Sequence, residues 1–121
     1  MKRDMDLIRR IALATAELPA GRKLAKLDGV EQLAFNEHVL WMAQANLVQA
    51  RLHTNQNDVV VTAHVLRLTW DGCEFADSVG SDTLWQKAKD SIIKPGASFT
   101  FGLLKEVLAN ELRNGLPTLR G

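Results

Sequence analysis

The residues best able to bind a metal or act as a nucleophile are three histidines, His38, His53 and His64, and one cysteine, Cys73. Their spacing argues against both chemistries. A zinc site needs closely spaced pairs such as Cys-x-x-Cys or His-x-x-x-His, because the ligands must converge on one ion. The chain has neither pattern. His38 shares an inward helix face with Trp41 and Ala45, so a histidine satisfied in or near the core is the better reading. His53 sits at the base of a hairpin tip and His64 within a strand, both open to a surface reading. Cys73 follows a helix start, where a thiol can gain nucleophilic character. Beside Phe75 it reads instead as a small buried apolar residue. Asp71, Glu74 and Asp77 make an acidic helix start, which suits the helix dipole better than acid–base catalysis. Gly-rich phosphate-binding signatures are missing. The expectation is a protein that is not an enzyme, with no catalytic residue, metal or cofactor.

Nucleic-acid chemistry asks for other residues. Bases stack on aromatic rings, and phosphates need cations. Trp41, Trp70 and Trp85 are three indoles in a chain without tyrosine. Each falls at core spacing in its element, so packing is the expected role. A helix over about Val30 to Ala45 precedes a hairpin but contains no Lys or Arg. Its expected outward face offers Gln32, Asn36, Val39, Leu40 and Ala43. The amides of Gln32 and Asn36 could read adenine. Candidate phosphate contacts are Arg22, Lys23 and Lys26 before the helix and Arg51 at the hairpin base. The hairpin tip adds Asn55, Gln56 and Asn57. Val39, Leu40 and Ala43 form the alternative, an apolar patch for a protein partner.

These residues need a frame. Asp4 to about Leu18 reads as a helix, with Met5, Ile8, Ile11, Ala12, Thr15 and Ala16 forming an apolar stripe. Pro19 and Gly21 end it. Arg22 to Leu27 reads as a small strand. Asp28-Gly29-Val30-Glu31 looks like a capping box with Asp28 as N-cap. The helix that follows carries Ala34, His38, Trp41, Met42 and Ala45 on one face, and either runs unbroken or divides near Asn36 into a short helix and a longer one. Asn46 suits a left-handed C-terminal stop. Leu47–Leu52 and Val59–Leu68 read as two strands around a polar tip. Thr69 caps a helix to about Val79. Gly80 and Ser81 interrupt, and Asp82 to Ile93 forms the next helix. A last helix from about Ser98 to Asn114 carries Leu103, Leu104, Val107, Leu108 and Leu112 on a broad arc, fit for a homodimer interface.

The fold class is therefore mostly α with a small β-hairpin, an α+β arrangement. It reads as one winged-helix-like domain over 1–121. The winged helix-turn-helix core spans about 1–79, with additional C-terminal helices over about 82–114. A chain of 121 residues can bury a core without disulfides or metal. Charged residues make up 24% and apolar residues 46%, which excludes a disordered chain. One cysteine forbids an internal disulfide. No segment reads as a signal peptide or membrane span, so cytoplasm is the expected location. A net charge of +1 gives no general attraction to nucleic acid, so local patches must decide.

Several segments resemble a bacterial family of unknown function, DUF2513. They are Met1-Lys2-Arg3-Asp4-Met5-Asp6-Leu7-Ile8-Arg9, His38-Val39-Leu40-Trp41-Met42-Ala43-Gln44-Ala45-Asn46-Leu47-Val48 and Arg67-Leu68-Thr69-Trp70-Asp71-Gly72-Cys73-Glu74-Phe75. Asp82-Thr83-Leu84-Trp85-Gln86-Lys87-Ala88-Lys89 and Phe99-Thr100-Phe101-Gly102-Leu103-Leu104-Lys105 continue the likeness in order. The resemblance implies a winged-helix-like fold and an association with prophages and other mobile elements. It implies no activity. Asn46 replaces the family's usual Gly, and Leu40 and Ala43 stand where polar or basic residues are expected. Two functions follow: a small DNA-associated regulator that binds duplex DNA, or a module that binds a protein partner.

Overall fold

The computed structural model describes residues 1–93 together with Gly102 and Glu106. The architecture is α+β, helices combined with a two-stranded antiparallel hairpin. One compact unit spans Met1–Asp77 and a second begins at Ser78.

Helix α1 spans Met5–Ala16. It starts where the Asp4 carboxylate accepts the N–H groups of Asp6 (2.9 Å) and Leu7 (3.4 Å), satisfying two free donors of the first turn. Its buried stripe is Met5, Leu7, Ile8, Ile11, Ala12 and Thr15, while Ala16 is exposed. The chain then crosses residues 17–31 without another helix. Within that stretch the expected strand shrinks to one residue. Leu24 bridges Val65 through two backbone bonds of 3.0 and 2.8 Å.

The expected capping box does not form. Gly29 takes a φ of 75° and the Val30 N–H closes a turn on the Leu27 carbonyl. Helix α2 therefore begins later, at Gln32, and runs to Gln44. Glu31 occupies the cap position and makes no side-chain cap bond. Nor does α2 break at Asn36. The Asn36 side chain is fully buried and donates to the Val60 carbonyl at 3.1 Å. Its own oxygen accepts from Gln32 at 2.9 Å. With both polar ends satisfied, the residue has no reason to disrupt the helix. Only one helix thus lies between the Leu24 bridge and the hairpin. Residues 17–31 are taken up by turns and the bridge.

Asn46 ends α2 with a φ of 60°. The Leu47 N–H turns back to the Met42 carbonyl at 2.8 Å, closing the last helical turn. Strands β1 (Val48–Thr54) and β2 (Val60–Leu68) follow. They pair antiparallel, with irregularities at Gln49/Ala50 and His53/Thr54. The tip is held by Asn55, whose side-chain oxygen accepts the N–H groups of Asn57 and Val59. Helices α1 and α2 pack on each other and on the hairpin. Ile11, Phe35, Val39 and Met42 expose 1% or less, each contributing about 1.5–3 kcal/mol by burial.

Helix α3 (Trp70–Val79) begins at Thr69, whose hydroxyl accepts the Gly72 N–H at 3.0 Å. The Thr69 N–H donates to the Leu47 carbonyl at 3.0 Å. Helix α4 (Asp82–Ile93) is capped by the Ser81 hydroxyl, which accepts from the Leu84 N–H at 3.2 Å. Leu84, Trp85 and Ala88 are buried, as their spacing predicts. The helix read over Ser98 to Asn114, and the dimer face assigned to it, lie outside the described residues. Gly102 and Glu106 are both helical.

Two substitutions test this packing. A Cβ on Gly72 would stand 1.9 Å from the Leu47 carbonyl oxygen. Gly72→Ala should therefore lower stability by about 3 kcal/mol, the upper end of overpacking costs. Alanine's better helix propensity, about 1 kcal/mol, is too small to offset this. An unchanged urea midpoint would contradict the close approach. Asn36→Ala strips the Val60 carbonyl and the Gln32 amide of a buried partner, at a cost of about 1–3 kcal/mol. Thermal melts matching wild type would place Asn36 back on the surface.

Candidate nucleic-acid interface

A cleft of about 500 Å³ opens where the loop after α1 meets the hairpin. Arg22, Lys23, Arg51 and Arg67 line it, together with Leu18 to Gly21, Leu66, Leu68 and Cys73. Among the described residues, no acidic side chain lines it.

Local structure brings these cations together. After α1, the Arg22 N–H closes a turn on the Pro19 carbonyl at 3.1 Å. Gly21 holds that turn with a φ of 85°, a region that costs most other residues about 1–2 kcal/mol. The neighbouring Leu24 bridge then ties Arg22 and Lys23 beside β2. On the hairpin, Val48, Val60, Ala63 and Val65 turn inward and are buried, whereas Gln49, Arg51 and Arg67 are exposed. Gln49 opposes Arg67 in the register and accepts a hydrogen bond from its guanidinium at 2.5 Å. That contact holds Arg67 on the same wall as Arg51. Cations so gathered, with no carboxylate among them, favour an anion in the cleft.

The residues expected to touch DNA therefore divide. Arg22, Lys23 and Arg51 converge in the cleft. Arg67 joins them, a cation that residue type and spacing do not single out. Strict alternation puts Arg67 on the face of the buried Ala63 and Val65, yet it is exposed, beside the register irregularity at Gln49/Ala50. Lys26 and Gln32 line a separate hollow of about 250 Å³ beside Val61–His64. The Gln32 amide is engaged, donating to the Ala25 carbonyl and to Asn36, each at 2.9 Å. Asn36 faces the core and cannot read a base. Asn55 is used in shaping the tip, leaving Gln56 and Asn57 exposed there.

The apolar patch is also corrected. Val39 is fully buried, and Leu40 and Ala43 are half-buried. The sequence reading placed Ala45 inward, yet it is exposed. The buried face of α2 is Phe35, Asn36, His38, Val39 and Met42. It is broad because α1 and both strands cover it.

His38 is a satisfied core histidine. Its Nε2 accepts the Asp4 N–H at 2.8 Å, and its Nδ1 lies 2.7 Å from the Ala34 carbonyl. The tautomer with the proton on Nδ1 fits both contacts. Trp41 meets the ring edge-on at 5.0 Å. His53 is exposed and its Nδ1 lies 3.1 Å from the Thr62 hydroxyl, while His64 is half-buried. Among the described residues, no group of His, Cys, Asp and Glu could hold a metal ion.

Two expectations of burial fail. Cys73 is exposed on the cleft wall. Trp70 exposes 80% of its surface, while Trp85 is buried and Trp41 half-buried. Core spacing misleads at Trp70 because it is the first residue of α3, where no preceding turn covers it.

Among the described residues, no helix is long and apolar enough to cross a membrane. No solved structure matches the chain. A protein of Haemophilus influenzae, described as an uncharacterized protein, is 28% identical over 110 residues, covering 88% of this chain and 92% of its own length. The family model described as hypothetical protein (DUF2513) matches residues 2–98, and the chain belongs to that family.

Proposed function

We propose that this protein is a non-enzymatic, DNA-associated protein that holds a nucleic-acid backbone in the cationic cleft rather than with α2. The carrying observation is the convergence of Arg22, Lys23, Arg51 and Arg67 around a space that, among the described residues, no acidic side chain lines. Phosphate contacts of this kind supply most sequence-independent affinity. Helix α2 contains no Lys or Arg and is mostly covered, so it brings nothing to neutralise phosphate. The order of helix, one-residue bridge, helix and hairpin supports reading the chain as winged-helix-like, with the loop and hairpin base taking over the contact. In a prophage or mobile element, as the family resemblance implies, such a protein would serve as a small regulator.

Binding to random-sequence duplex DNA across a salt series tests the reading. Wild type should bind with a negative log–log salt slope of about 0.9 per phosphate contact. The double variant Lys23→Ala with Arg51→Ala should weaken binding and flatten the slope by about 1.8, one contact for each charge removed. Unchanged affinity and slope would remove the cleft from the interface.

A further inference from the structure

Trp70 is the most exposed large apolar side chain among the described residues. Leaving an indole in water forgoes a large burial gain, so its position calls for a use. The ring is also held in place. Its Nε1–H donates to the Glu74 carboxylate at 2.9 Å, one helical turn along α3. That contact occupies the N–H edge and leaves the ring's faces as a platform.

Trp70 does not itself line the cleft, but its neighbours along the chain do. Cys73, on the cleft wall, lies three residues along α3 from Trp70. Residues at that spacing are neighbours on a helix surface. Arg67 and Leu68, also on the wall, lie just before Trp70 in the chain. An exposed ring beside a cationic groove is the arrangement that grips single-stranded nucleic acid, with phosphates in the groove and bases on the ring. Charge sets the polarity of the fit. Asp71 and Glu74 share α3 with the indole and repel phosphate, so the backbone is confined to the cleft and the base turns toward α3.

We propose that Trp70 is a base-stacking residue and that the site takes unpaired nucleotides. A base inside a duplex is already stacked on its neighbours and cannot lie on the ring. This inference rests on the cleft reading above, and its test separates the two. Anisotropy of a labelled single strand of about 12 nucleotides and of the matching duplex is measured with wild type, Trp70→Ala, Trp70→Phe and Lys23→Ala with Arg51→Ala. Loss of stacking by Trp70→Ala should weaken single-strand binding about tenfold or more, leave duplex binding unchanged, and be largely rescued by Trp70→Phe. Circular dichroism checks that each variant is folded. If Trp70→Ala weakens neither form, or weakens both equally, the stacking role is overturned while a loss in the cleft variant still upholds the cleft. If neither form binds wild type, both readings fall, and the exposed indole belongs to a protein contact.

Discussion

One carbonyl oxygen, that of Leu47, governs how the pieces meet. It accepts the Thr69 N–H at 3.0 Å, linking the entry of the hairpin to its exit. Thr69 adds a second link, its hydroxyl donating to the Asn46 carbonyl. The first turn of α3 then passes so close to Leu47 that only a glycine fits at position 72. Asn46 makes the approach feasible by taking a left-handed conformation at the end of α2, which asparagine tolerates better than most residues. The end of α2, both ends of the hairpin and the start of α3 are thereby fixed at one point.

That junction explains why the cleft and the exposed indole are neighbours. Arg67 and Leu68 close the hairpin on one side of Thr69, and Trp70 and Cys73 open α3 on the other. A rigid corner so placed turns residues close in sequence into two adjoining surfaces, one cationic and one aromatic. The opposite wall comes from the loop after α1, and the two backbone bonds between Leu24 and Val65 keep it against β2. Neither wall depends on α2, whose face is spent on the core.

Local signals in the sequence reported local structure well. Asn46 and Thr69 act as caps where backbone preference and side chain predict, and Asp4, expected as the first helical residue, caps α1 instead. The strand alternation and the two-helix run after the hairpin are visible from residue types alone. What failed was tertiary. The face of α2 was rotated because His38, Trp41 and Ala45 suggest a narrow stripe, whereas packing from both α1 and the hairpin buries a wider one. Asn36 looked like an exposed amide and is a buried bridge to Val60. The capping box at Asp28 gave way to the turn at Gly29. Three of the four cleft cations could be picked out as basic residues outside the helices, but their convergence depends on the Gly21 turn, the Leu24 bridge and the hairpin irregularity. None of these carries a pairing signal in the sequence.

In the proposed function the phosphate contact lies in the cleft and not on α2. Amide chemical-shift mapping by NMR, during titration with a short DNA oligonucleotide, tests it most directly. Phosphate held in the cleft should shift residues 20–23, Arg51 and Arg67 most, with the exposed α2 residues Gln32, Leu33 and Gln44 unmoved. Shifts concentrated on α2 and the hairpin tip, with the cleft residues silent, would contradict it.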